Sequence, residues 1–363
     1  MIRQLNIHLI APSAPPADPA EARRGVERLR AMGHAVGNEA CIERRHQRFA
    51  GTDEERLAEL NALACLPDDV DMVMAIRGGY GASRLLSRID FPAIAARAFH
   101  KPFAFIGHSD ITALQMGLLS HGVASLAGPM LVPDLSREQL NLEMLASFEG
   151  AFAQRVELAW DCGMRQDNLS AEGMLWGGNL AMLCSLIGTP WLPRVEGGIL
   201  FIEDINEHPY RIERMLLQLL DAGVLWNQGA IIVGDVSGYR LASPGEHGYE
   251  HGYDLAAALD NVRGSLRAPR PSARRSPSPF EAAAGGVRAA LSDGPASPSP
   301  TRALARGSVP ILSGLEFGHI PCKLTLPVGA PARLEVRGSR VTLSCPGWPL
   351  DPARAKVGSE DQE

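Results

Sequence analysis

The stretch FAFIGHSDITAL, residues 103–114, decides the class of fold. Phe103 to Ile106 form an unbroken apolar run, the pattern of a strand buried on both faces. Gly107 stops it. His108, Ser109 and Asp110 follow, and then Ile111, Leu114, Leu118 and Leu119 begin a helical pattern. A buried strand that hands over to a helix so quickly is half of a β-α-β unit. Ser109 stands at the handover. There its hydroxyl is either a helix cap or a nucleophile above the sheet edge, where helix amides and dipole face a developing oxyanion. The elbow motif G-x-S-x-G uses the second arrangement. GHSDI has the first glycine and lacks the second.

Outward from this point the alternation repeats. LNIHLIAP (5–12) reads as a strand, and DPAEARRGVERLRAMGH (18–34) as a helix with Asp18 as cap and Gly33 as stop. GTDEERLAELNALAC (51–65) reads as a helix opened by Thr52 and Glu55 in capping-box spacing. VDMVMAIRGG (70–79) is a strand that breaks at paired glycines. Such alternation predicts an α/β fold whose first domain, residues 1–150, is a Rossmann-like parallel sheet. Ligands of such sheets sit at the carboxyl ends of strands, where RGGYG (77–81) and GHSD (107–110) both fall. MIRQLNIHLIAPSAPPA at the start has the flavour of a signal peptide. Its apolar run is short and broken by Asn6 and His8, so it is read as the first buried strand.

Residues 136–172 carry weak periodicity and are expected to cross between domains. A smaller, strand-rich α/β domain, residues 151–363, then contains the strands GGILFIED (197–204), GAIIVGDV (229–236) and VPILSGL (309–315). Its helices are HPYRIERMLLQLLDAG (208–223) and YDLAAALDNVRGSL (253–266), and ARLEVRGSRVTLSC (332–345) ends it. Residues 267–308 break this order: 31 of 42 are Ala, Arg, Pro or Ser, with a net charge of +5. That composition cannot bury a core face and predicts a disordered insertion.

The chain has 363 residues, 45% of them hydrophobic, enough for two cores. A net charge of −6 argues against a nucleic-acid partner bound through phosphates. No apolar run reaches the about 18 residues of a membrane span. The six cysteines are scattered, without CxxC or zinc spacing, which fits a reducing, cytoplasmic compartment and no metal.

A serine nucleophile needs a base and an orienting carboxylate. Glu203 follows four apolar residues, so it lies at a strand's carboxyl end; Asp204 and Glu207 compete with it. Among ten histidines, His319 in SGLEFGHIPCKLTLPVG follows a strand signal and a glycine. His108 adjoins Ser109, so its side chain should point away from the hydroxyl. His247 and His251 are four apart, but flanking glycines make a helical zinc site a poor reading. RGGYG lacks the third glycine of a dinucleotide fingerprint. It reads as a plain turn or as one whose amides approach a substrate oxygen.

Taken together, LIAPS, HQRFAGTDEERLAELN, AIRGGYGASRLL, IGHSDITAL, EGMLWGGNLAML, ILFIEDINEHPYRIERML and LSGLEFGHIPCKLTLPVGA resemble, in order, the LD-carboxypeptidases of serine peptidase family S66. The insertion at 267–308 departs from that pattern. The resemblance implies a triad of Ser109, Glu203 and His319, with an oxyanion hole from the amides of Gly79 and Asp110. It also suggests Trp176, Gly178 and Asn179 as a substrate wall. It implies a cofactor-free, cytoplasmic homodimer that releases C-terminal D-alanine from murein tetrapeptides in cell-wall recycling. A branch of the family hydrolyses microcin C-type peptidyl nucleotides, which is the rival enzymatic reading. A non-catalytic nucleotide-binding protein using RGGYG is the rival outside enzymes.

Overall fold

The computed structural model describes residues 4–152, 156–239, 253–268 and 309–347. Almost all of the 267–308 insertion, together with His247 and His251, lies outside the described residues.

The first half alternates as its sequence pattern requires. Strand β1 (Asn6–Ile10) leads to α1 (Pro19–Ala31), β2 (Ala35–Gly37), α2 (Asp53–Asn61), β3 (Met72–Ala75), α3 (Phe91–His100), β4 (Ala104–Gly107), α4 (Thr112–Leu119) and β5 (Ser125–Ala127). Asp18 caps α1 by accepting from the Ala20 amide, and Pro19 opens it. Thr52 and Glu55 form the expected reciprocal capping box of α2. β3 and β4 are buried at every residue, as strands covered on both faces must be.

Helix α5 (Leu142–Phe152) leads into β6 (Val156–Asn179), a long strand that begins within the weakly periodic segment expected to cross between domains. Then follow α6 (Leu180–Ser185), β7 (Ile199–Glu203), α7 (Pro209–Asp221), β8 (Ala230–Val233), α8 (Leu255–Arg267), β9 (Ile311–Ser313), β10 (Leu326–Val328) and β11 (Ala330–Cys345). The second sheet has the order β11-β6-β7-β8-β9 and is parallel except for β11.

The first sheet has the order β10-β5-β4-β3-β1-β2, parallel except for β10. So Leu326–Val328, read from sequence as part of the second unit, instead pairs with β5 in the first. Strand order reverses between β1 and β3, which opens a crevice at their carboxyl ends. The two sheets meet around α4, which packs on both α6 and β6 and is buried at all of its residues. A helix hydrophobic all round is one enclosed all round. Ser109, just ahead of α4, is thereby placed where the sheets face each other. All six cysteines are unpaired, and no helix among the described residues is long and apolar enough to cross a membrane.

Candidate active site

The strand-to-helix handover at β4 is an elbow. His108 is extended, Ser109 turns into the left-handed region at φ +63°, and a short 3-10 turn over Ser109–Ile111 enters α4. A non-glycine residue held there costs on the order of 1–3 kcal/mol and persists only when its surroundings over-determine it. The surroundings are visible. The Asp110 carboxylate is buried and accepts from the Ser13 hydroxyl at 2.5 Å and the Ala82 amide at 2.9 Å. That ties the elbow to the loops after β1 and β3. Burial raises the Asp110 pKa, and the Ser13 and Ala82 hydrogen bonds oppose the rise.

The RGGYG turn after β3 closes against the elbow. A methyl group on Gly78 would lie 3.0 Å from Ser109 Cβ, 3.2 Å from its Oγ and 3.4 Å from the Asp110 amide nitrogen. The glycine that the elbow motif lacks downstream of Ser109 is thus supplied in space by the turn after the neighbouring strand. Gly78→Ala is therefore expected to push the hydroxyl off its line, lowering kcat by about tenfold with little loss of stability. Steady-state kinetics beside urea denaturation check this.

Glu203 ends β7 and is wholly buried. One carboxylate oxygen, Oε2, lies 2.7 Å from His319 Nδ1. The other, Oε1, accepts from Asn179 Nδ2 at 3.1 Å. His319 Nε2 lies 3.0 Å from Ser109 Oγ. With the Nδ1–H donated to Glu203, the neutral imidazole presents Nε2 as an acceptor toward the serine hydroxyl. Ser109, His319 and Glu203, 116 and 210 residues apart in the two pairings, form one hydrogen-bonded line. The same arrangement orders nucleophile, base and acid in serine hydrolases on unrelated folds.

The other candidate residues make different contacts. Glu207 is partly exposed and pairs with Arg211 at 3.4 Å. His108 donates its Nδ1–H to the Gly128 carbonyl at 3.1 Å, away from the hydroxyl. Asp204 accepts from the Ala181 and Ile205 amides at 2.9 and 2.8 Å, and from Asn179 Nδ2 at 3.2 Å. Asn179 thus bridges two adjacent carboxylates. It also caps α6 through Met182 N, and its own amide donates to Thr112 Oγ1 at 3.1 Å.

Trp176, Gly178 and Asn179, suggested as a substrate wall, are all buried. Trp176 is 1% exposed and donates its indole N–H to Gln228 at 2.8 Å. A methyl on Gly178 would meet Thr112 Oγ1 at 2.6 Å, so that glycine is where the second sheet abuts α4. Asn179 holds the Glu203 carboxylate in place. Gly78 and Ser13 are not singled out from sequence, and Asn179 is suggested there as substrate wall rather than as the partner of Glu203. A polar residue at the end of an apolar strand, just before a helix, was the available sign of the last.

Burial, and then the neighbouring Glu203 charge, push Asp204 up to about 6 from an ordinary 3.8. A carboxyl raised in the folded state stabilises the fold while protonated. Its contribution is complete below about pH 4 and is lost as pH rises through about 6. Asp204→Asn removes that dependence. The stability advantage of the parent over this variant is expected to shrink by about 2–3 kcal/mol between pH 4 and pH 7.5. Urea unfolding at the two pH values measures it.

Residues 7–128 match the model of the LD-carboxypeptidase N-terminal domain, and residues 172–270 that of the LD-carboxypeptidase C-terminal domain. A probable murein peptide carboxypeptidase of Bacillus subtilis is 36% identical over 239 residues, 63% of this chain and 71% of its own. The crystal structure of a muramoyltetrapeptide carboxypeptidase from Oxalobacter formigenes aligns with a TM-score of 0.76 at 36% identity, covering 95% of this chain and 99% of that one. A microcin C7 self-immunity protein of Escherichia coli is more distant, 28% identical over 278 residues, 67% of this chain and 79% of its own.

Proposed function

The chain belongs to the LD-carboxypeptidase family, and from that premise we propose that it hydrolyses the bond between an L-centre and a C-terminal D-alanine in murein tetrapeptides, with Ser109 as nucleophile. The observation that carries the reading is the placement of His319 between Ser109 at 3.0 Å and Glu203 at 2.7 Å.

Ser109 Oγ attacks the carbonyl carbon as His319 Nε2 takes the hydroxyl proton. Glu203 keeps the ring in the required tautomer and offsets the charge of the imidazolium. The carbonyl oxygen, now an oxyanion, is met by the amides of Gly79 and Asp110, the latter at the start of the helical turn. His319 gives its proton to the departing amine of D-alanine, leaving an acyl ester on Ser109. Water attacks that ester, again losing a proton to His319, and the shortened peptide leaves with the serine hydroxyl restored. Every proton passes through His319.

The relatives named for murein peptides are closer in identity than the microcin self-immunity protein, which favours the wall peptide over a peptidyl nucleotide. Unpaired cysteines support placing the enzyme in a reducing cytoplasm, where it would act on recycled wall fragments as a homodimer. A fluorophosphonate tests the chemistry directly: it should label the parent at Ser109. Absence of label on a folded parent would remove the serine mechanism.

A further inference from the structure

We infer that Lys323, Asp134 and His108 form a buried clamp that holds His319 in register with Ser109; the inference rests on the functional reading above. Lys323 is 1% exposed and Asp134 is fully buried. The ammonium donates to Asp134 Oδ1 and Oδ2 at 2.9 and 3.0 Å and to His108 Nε2 at 2.9 Å. Asp134 Oδ2 also accepts from the Met130 amide at 2.9 Å. His108 donates through Nδ1 to the Gly128 carbonyl.

Each member belongs to a different part of the site. His108 directly precedes the nucleophile on the elbow. Asp134 lies in the loop after β5. Lys323 is four residues beyond His319, on the segment that crosses from the second sheet to the first. That segment is tied to the second sheet where the Asp235 amide donates to the Phe317 carbonyl at 2.7 Å, and to the first where β10 pairs with β5. Lys323 fastens it between these ends through Asp134 and His108. The His108 ring stands edge-on to that of His319, with centroids 5.1 Å apart.

The choice of cation is informative. The chain has 32 arginines and three lysines, yet a lysine occupies this place. A compact ammonium fits between an imidazole nitrogen and a carboxylate; a planar guanidinium needs a wider, forked partner. Burying an ion pair is costly unless its hydrogen bonds are completed, as they are here. The charges also balance. Lys323 is matched by Asp134, and His108 carries one proton, donating at Nδ1 and accepting at Nε2. The clamp therefore adds no net charge behind His108, whose ring adjoins that of His319, and His319 must become cationic during the reaction. Lys323 is a positioning residue that acts through His108 and its own backbone.

The test is the double variant Asp134→Asn/Lys323→Met, which removes both charges without stranding either. With muramoyl tetrapeptide, kcat should fall on the order of 10²-fold while KM stays within about twofold, the signature of a misaligned base. Fluorophosphonate labelling should slow in parallel, and the urea midpoint should stay near that of the parent. A folded double variant with parental kcat overturns the clamp. If it does not fold, His108→Gln and His108→Leu decide. Glutamine reproduces the donor and acceptor of the neutral imidazole and leucine does not, so kcat should be at least about tenfold lower for leucine. Equal values overturn the proposal. The low-field proton resonance of His319 Nδ1–H reads ring position without turnover. If the parent neither releases D-alanine nor is labelled, the functional reading fails, while a shift of this resonance in the variant still upholds the clamp and an unmoved one overturns it.

Discussion

Ser109→Ala is expected to lower kcat on muramoyl tetrapeptide by at least about 10³-fold. The hydroxyl is the only group removed. The backbone at φ +63° is held by the Asp110 contacts to Ser13 and Ala82, which the substitution does not touch. The urea midpoint should therefore stay close to that of the parent, and KM should change little. Residual turnover would come from the oxyanion donors and from binding alone. Label from a fluorophosphonate should disappear. A folded Ser109→Ala protein with near-parental turnover would exclude the covalent mechanism.

Glu203→Gln should cost nearly as much, on the order of 10³–10⁴-fold in kcat. The amide oxygen of the glutamine can still accept from Asn179, so packing is preserved. Its nitrogen, however, donates toward His319 Nδ1, where the parent carboxylate accepts. The imidazole must then carry its proton on Nε2, pointing at Ser109, and no lone pair remains to take the hydroxyl proton. Glu207→Gln offers the contrast. Glu207 is partly exposed and pairs with Arg211, so its loss should change kcat by less than about threefold, as for a surface pair. The reverse ranking of the two variants would move the acid from β7 to the loop beyond it.

Much of this arrangement is legible in the amino-acid order alone. The run from Phe103 to Ile106, closing on Gly107 and Ser109, marks a buried strand feeding a helix, because full burial leaves no polar alternation to mislead. Glu203 is legible for a related reason: a carboxylate that ends four apolar residues has a fixed place at the strand's carboxyl end. The Thr52–Glu55 box is legible because capping is local chemistry. What escapes such reading is long-range. β6 is hidden because residues 156–172 mix polar and apolar positions around Gly163, and its long antiparallel partner lies far away, at residues 330–345. β10 is short and contains Pro327, which is tolerated there because the strand is at the sheet's edge; nothing local says which sheet it joins. Trp176 and Asn179 belong to the strand that runs beside that of Glu203, but a strand's two faces look alike until the neighbouring layer is known. Lys323 in its apolar setting hints at a buried cation, though its two partners, at 108 and 134, are out of reach of any spacing argument.

One measurement tests the central claim most directly. The purified chain is incubated with muramoyl tetrapeptide and, in parallel, with a peptidyl-adenylate analogue, and the products are identified by mass. Release of one D-alanine per tetrapeptide, leaving the muramoyl tripeptide, is expected, at a rate that falls with Ser109→Ala. An intact tetrapeptide beside a cleaved peptidyl-adenylate would contradict it and assign the same triad to the microcin-type reaction.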